Sequence, residues 1–146
     1  MFRGRYEHTI DVKGRVSFPV RFRQLLQERY DGRLIIAKFD ECLVAYPFPE
    51  WLIFEEKAKG LSQVSEDVTA FLRYFYSSAM ECPLDKLGRI LIPPPLREFA
   101  GLGRDVVFAG MINRVEIWSK ERFVQADEQY RQNFAEIRRT LAGLGL

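Results

Sequence analysis

The sequence predicts an α+β fold, in which two copies of one hairpin–helix–hairpin unit pack about a pseudo-twofold axis with helices flanking them. Three observations carry that prediction. The stretch "DVKGRVSFPVRFR" at 11–23 returns as "DKLGRILIPPPLR" at 85–97. Asp11, Gly14, Arg15, Pro19 and Arg23 recur as Asp85, Gly88, Arg89, Pro93 and Arg97, each 74 positions on, and Val16, Phe18 and Phe22 recur as Ile90, Ile92 and Leu96. Second, short β-favouring runs alternate with proline-started helical segments in the same order in both halves. Third, a chain of 146 residues that is 47% apolar and 29% charged has the composition of one soluble domain. A single unit of about 45 residues buries too little surface to hold a core alone. Two such units sharing a core let one chain supply both halves of what would otherwise be a homodimer.

The elements follow in order. Residues 6–10 favour a strand, "DVKG" reads as a tight turn, and 15–18 as the returning strand. Gly14 suits that turn because a short hairpin loop needs a residue at positive φ. Pro19 stands where a helix can begin, since the first turn needs no N–H there. Phe22, Leu25 and Leu26 follow at helical spacing, and "DGR" at 31–33 ends the helix. Strands are expected at 34–38 and 42–46. A helix starts at Pro49, and a further segment, "EDVTAFLRYFYSSA", leads into the second copy. There the order repeats: a strand at 88–92, a helix around 95–100 stopped by Gly101, and strands at 106–110 and 114–118. The offset slips to 72, matching Ala37 with Ala109 and Tyr46 with Trp118, as a short loop deletion would produce. Ser119 is a candidate N-cap. Phe123, Ala126, Tyr130, Phe134, Ile137 and Leu141 then step by three or four to the terminus, forming a docking stripe for this domain or a neighbouring subunit.

Several function classes lack their material. No run approaches the roughly 20 apolar residues of a membrane span. "MFRGRYEHTI" has no apolar core before a cleavage site, so no signal peptide is expected and the expected location is the cytosol. His8 is the one histidine, and Cys42 and Cys82 are far apart, which suggests neither a metal site nor a disulfide framework. No glycine loop has phosphate-cradling spacing. Catalysis, a cofactor and a small-molecule substrate are therefore not expected.

The charge distribution is more informative than the net +2. Residues 1–23 carry Arg3, Arg5, Lys13, Arg15, Arg21 and Arg23 against Glu7 and Asp11, and arginine outnumbers lysine 16 to 6. Arginine is suited to forked contact with phosphate or guanine. The repeated Asp-x-x-x-Arg straddles each expected hairpin tip, placing Asp11 near Arg15 and Asp85 near Arg89. Such a carboxylate can accept turn N–H groups and brace the guanidinium. A braced arginine loses less rotamer freedom on meeting a partner. Lys13 and Lys86 stand at the same tips, and Arg3 and Arg5 lie nearby in sequence. Arg23 and Arg97, one turn inside their helices, are expected to be structural, pairing with a sheet carboxylate. Trp51, Phe75, Trp118 and Tyr46 are expected in the core.

"MFRG", "DVKGRVSFPVRFR", "YPFPEW", "SSAMECPLDKLGRILIPPPLR" and "NRVEIW" together resemble the MraZ family of bacterial regulators, which carry two AbrB-like (SpoVT-AbrB) domains. The resemblance runs from Met1 to about Phe123, and the segment from 124 to 146 has no comparable signature. The second motif has Leu87 where the first has Lys13, so its tip is less basic, although Lys86 can compensate. The resemblance implies two swapped-hairpin repeats, at 5–48 and 79–122, forming one pseudo-twofold β-barrel core. Connecting helices fill 49–78 and a C-terminal helix 123–146. It also implies ring-shaped homo-oligomers that bind repeated double-stranded promoter elements upstream of the division and cell-wall gene cluster, in the cytoplasm and nucleoid. The family's Asp-x-x-x-Arg motif maps onto Asp11 and Arg15, and onto Asp85 and Arg89. An RNA-binding module and a non-catalytic structural assembly protein are the rival readings. The first is disfavoured because neither an RNP-type aromatic pair nor a GXXG clamp is present.

Overall fold

The computed structural model describes all of residues 1–146. Eight strands and six helices form: β1 (Arg5–Thr9), β2 (Arg15–Ser17), α1 (Val20–Arg29), β3 (Leu34–Phe39), β4 (Cys42–Pro47), α2 (Phe48–Lys59) and α3 (Glu66–Tyr74). The second half continues with β5 (Met80–Glu81), β6 (Arg89–Leu91), α4 (Pro94–Ala100), β7 (Asp105–Gly110), β8 (Val115–Ser119), α5 (Lys120–Gln132) and α6 (Phe134–Gly143). Pro19 and Pro93 cap α1 and α4, and Gly101 ends α4 in the left-handed conformation, φ 64°. No helix is long and apolar enough to cross a membrane.

The strands make an open six-stranded sheet, ordered β1-β7-β8-β4-β3-β5, and a two-stranded ribbon of β2 and β6. The local hairpins β3–β4 and β7–β8 pair as expected. The strands flanking each tip do not pair with each other. β1 pairs with β7 of the other half, from Arg5↔Ala109 to Thr9↔Asp105, and β2 pairs with β6. The physical reason lies in the core. A three-residue hairpin closed on itself would bond little and bury one face, whereas crossing to the other repeat spreads both pairs over one shared interior.

Register reveals the symmetry. Val16 lies opposite Ile90, its own counterpart, and Val44 lies opposite Glu116, its counterpart at the offset of 72. The pairs Tyr6↔Phe108 and Glu7↔Val107 are mirrored by Ile36↔Met80 and Ile35↔Glu81. A twofold relation between the halves therefore passes through both central pairs.

Between sheet and ribbon lies the main core. Val16, Phe18, Ile90 and Ile92 face Leu34, Ile36, Leu43, Val106, Phe108, Val115 and Ile117, with Phe22, Leu26 and Leu96 from the helices closing it. Alternate residues of the same strands point the other way, as period two requires. Ile35, Ala37 and Val44 pack there with Trp51 and Phe75, while Val107, Cys42 and Trp118 pack with Phe123 and Ala126. Both thiols are free and buried, and burial pushes that of Cys82 up to about 11.

Two helical expectations change. The segment at 66–79 stops as an α-helix at Tyr74 and finishes as a 3-10 turn at Tyr76–Ser78, because the chain must swing Phe75 into the outer core. The single C-terminal helix expected at 123–146 is two helices. Asn133, at φ −101° and ψ 14°, sits at the joint. Only the α5 part of the stripe touches the body; α6 buries no residue.

Candidate nucleic-acid interface

Each hairpin tip is built by one aspartate. Asp11 Oδ1 accepts the backbone N–H groups of Lys13 (3.0 Å) and Arg15 (2.8 Å), while Oδ2 accepts Arg15 Nε at 2.8 Å. Asp85 repeats this with Leu87 N at 2.8 Å, Arg89 N at 2.9 Å and Arg89 Nε at 2.9 Å. Two further bonds close each turn: Gly14 N to Asp11 O at 3.0 Å and Asp11 N to Arg15 O at 2.9 Å, matched by Gly88 N to Asp85 O and Asp85 N to Arg89 O. Both carboxyls are held below the usual carboxylate range, foremost by the backbone N–H of Arg15 or Arg89 and then by its guanidinium. In both arginines only Nε is engaged, so the two terminal nitrogens remain free to meet an acceptor.

The ribbon sets where these arginines point. Val16 and Ile90 face the core, so Arg15, Ser17, Arg89 and Leu91 face solvent on the opposite side. Arg15 lies opposite Leu91, and Arg89 is its diagonal neighbour, a placement that puts their Cβ atoms roughly 7–8 Å apart. Two braced guanidinium groups thus share one outward surface. Lys13 and Lys86 are exposed at the two ends of that surface, and neither makes an ion pair.

The helix arginines work across the repeat boundary. Arg97 Nε donates to Ile92 O at 2.9 Å and lies under the first tip, where a Cβ on Gly14 would stand 2.6 Å from Arg97 Nε and 2.9 Å from Ile92 O. Arg23 lies under the second tip in the same way, with Nη1 3.4 Å from Leu87 O and its side chain in the space that a Cβ on Gly88 would need. Both glycines also have positive φ, 90° and 77°. The expected partner, a sheet carboxylate, is replaced by backbone carbonyls: Leu87 O of the opposite repeat for Arg23, and Ile92 O of its own repeat for Arg97. The reason is the strand crossing, which brings each helix beneath the other copy's tip.

Not every predicted residue gathers here. Arg5 sits at the far end of β1, where it pairs with Asp127 at 3.1 Å and lies 4.9 Å from the ring centroid of Phe123. Arg3 lines an open depression of about 860 Å³ with Arg21 and Glu28. Both are separated from the first tip by the length of β1, about 17 Å at strand rise. Arg104 was not singled out by sequence. Its carbonyl accepts Ile10 N at 2.9 Å, which puts it beside the first tip, exposed and without an ion pair. The signal was absent because its counterpart in the first repeat is Gly32. No three histidine, cysteine or carboxylate side chains gather where they could share a metal ion.

The family described as "MraZ protein, putative antitoxin-like" matches twice, over residues 1–74 and 75–144. A protein named transcriptional regulator MraZ from Syntrophobacter fumaroxidans is 46% identical over 145 residues, covering 99% of this chain and 97% of its own length. One of the same name from Desulfitobacterium hafniense is 44% identical over 146 residues, covering both chains completely. Another, from Caldanaerobacter subterraneus subsp. tengcongensis, is 46% identical over 137 residues and 94% of each chain.

Proposed function

The chain belongs to the MraZ family, and from that premise we propose that it is a sequence-specific transcriptional regulator binding double-stranded promoter DNA. The observation that carries the proposal is the pair of outward guanidinium groups, Arg15 and Arg89, each braced by an aspartate on one side of the ribbon. A forked, preorganised cation is what a phosphate or the O6/N7 edge of guanine accepts. Asp11, Lys13, Arg15, Asp85, Lys86 and Arg89 are the contact set, with Arg104 added at the first tip; Arg3 and Arg5 would reach only DNA that extends beyond the tips.

One protomer of net charge +2 has few contacts to offer. Assembly into a ring would present many tips, and each bound tip raises the effective concentration of the next. Repeated boxes upstream of the division and cell-wall gene cluster are the target that suits repeated tips. The halves at 5–48 and 79–122 then act as two swapped-hairpin domains around a barrel-like core. Residues 49–78 connect them, and 123–146 form a C-terminal arm. The exchange of β1, β2, β5 and β6 between halves supports that reading. The protein works in the cytoplasm at the nucleoid, without cofactor, catalysis, small-molecule substrate or membrane partner.

Titration of promoter DNA, matched scrambled DNA and matched RNA at several salt concentrations tests the proposal. Wild-type protein is expected to prefer the promoter duplex, with affinity falling steeply as salt rises. Arg15→Ala and Arg89→Ala are each expected to weaken binding about tenfold or more, since a bidentate base contact is worth roughly 1–3 kcal/mol. Stability should change little, because each side chain is half-exposed at a turn and its one ion pair is solvent-screened. Variants that bind the promoter like wild type would sink the tip assignment, and equal affinity for RNA would favour the first rival.

A further inference from the structure

The two repeats cover the outer face of the sheet unequally. Over β3 and β4, α2 lays down Trp51 and Phe54, and the chain then turns back through residues 60–65 so that α3 and Phe75 close the layer. Trp51 is left 3% exposed. Over β7 and β8, α5 supplies Phe123 and Ala126 at the equivalent positions, and both remain partly exposed. Nothing follows to close that layer. An open depression of about 460 Å³ is left, floored by Ala109, Met111, Phe123, Ala126 and Tyr130 and edged by Glu116, Asp127 and Arg5.

The element that comes next in chain order, α6, joins none of the buried cores, and its Ile137 and Leu141 are only half-buried. Phe134, Ile137 and Leu141 line one side at helical spacing, Phe134 is 47% exposed, and no residue of the helix is buried. Arg138 flanks this stripe and Arg139 stands beyond it; neither makes an ion pair. A vacant apolar groove edged by two carboxylates and one guanidinium therefore meets an unpartnered apolar helix bearing two guanidinium groups and one carboxylate, Glu136.

The joint forbids closure within the same chain. Two helices that fold back on each other need a connection of at least about two residues. The first repeat has six, 60–65, while α5 and α6 are separated by Asn133 alone. Asn133 N bonds to Gln129 O and Tyr130 O, and its carbonyl accepts Ile137 N, so α6 runs on from α5 with a kink. A connection too short for return in cis is the condition under which an element is exchanged between copies.

We infer that α6 seats on the exposed outer face of β7, β8 and α5 in a neighbouring copy of this chain, where it does what α3 does within the first repeat. The contact is head-to-tail, the kind that closes rings, and Arg138 meets Glu116 or Asp127 of the neighbour. The inference rests on the proposed ring assembly and supplies the joint that holds it.

The test uses the full chain carrying Ala126→Cys with Ile137→Cys, treated with a short bis-maleimide; the native thiols are buried. A ladder of linked chains on a denaturing gel is expected, with none from either single variant. In parallel, Ile137→Asp is expected to shift the dissociation midpoint of the assembly by at least about tenfold, read by light scattering. Its circular dichroism should match wild type, since Ile137 touches no core. Linked product confined to single chains, or an Ile137→Asp protein of wild-type mass, would overturn the joint while leaving the ring intact. A wild-type protein that is monomeric at tens of micromolar would overturn both.

Discussion

Replacing Gly14 with alanine asks whether the tip and the opposite repeat's helix are one mechanical unit. The added methyl meets two obstacles. Backbone strain comes first: at φ 90° an L side chain is disfavoured by about 1–2 kcal/mol. Contact comes second, because the methyl would stand 2.6 Å from Arg97 Nε, 2.8 Å from Cζ and 2.9 Å from Ile92 O. The guanidinium can move, but in moving it gives up its 2.9 Å bond to the Ile92 carbonyl, and a hydrogen bond from a charged donor is worth about 1.5–3 kcal/mol. Arg97 is partly exposed, so the lower end applies and the total comes to about 3 kcal/mol. Gly32 is the internal control. Its φ is 82° and nothing lies within 4 Å of its Cβ position, so Gly32→Ala should show the strain alone, about 1–2 kcal/mol. Urea denaturation of both variants, with Arg97→Ala added to each, measures the difference and the coupling. Gly14→Ala should be the worse by at least about 1.5 kcal/mol, and Arg97→Ala should remove the guanidinium's share of that excess while leaving the share of the Ile92 carbonyl. A Gly14→Ala protein as stable as Gly32→Ala, or one uncoupled from residue 97, would refute the cross-repeat buttress.

Two other outcomes follow from the same geometry. His8 packs edge-on against Phe108, and burial foremost, with the charge of Arg23, holds its pKa below the usual 6.5. The unfolded chain therefore binds the proton first, so stability is complete above about 6.5 and falls as pH drops through that value toward the folded one. His8→Gln should remove this slope, and a slope unchanged in the variant would assign it elsewhere. Residues 1–78 and 79–146, expressed separately, should fail to melt cooperatively as monomers, since β1 and β2 take their partners from the other half. Mixing the two should restore a cooperative transition, and a well-folded monomeric half would contradict the shared core.

The local chemistry was legible in the sequence because it depends on residues a few positions apart. Asp11 and Arg15 are close enough along the chain to brace each other in any tight turn, and Gly14 marks the positive φ that the turn needs. The prolines before α1 and α4, and Ser119 capping α5 through Arg122 N at 3.1 Å, were readable for the same reason. The repeat itself announced two equivalent halves and hence a shared core. Pairing across long distances was not legible in the residues themselves; only the family resemblance implied swapped hairpins. Period-two alternation says that residues 5–9 and 15–17 are extended, but it is equally satisfied by a local hairpin and by exchange with the other half. Only the competition for one interior decided for exchange. That decision carried Arg23 and Arg97 beneath the opposite tips, where no carboxylate waits, and it carried Arg5 to Asp127 at the far end of β1. The apolar stripe from Phe123 to Leu141 shows the same division. Its spacing dictates helix, but the break at Asn133 and the exposure of α6 are tertiary outcomes: α5 alone lies over β7 and β8, and a one-residue joint cannot turn α6 back onto the same face.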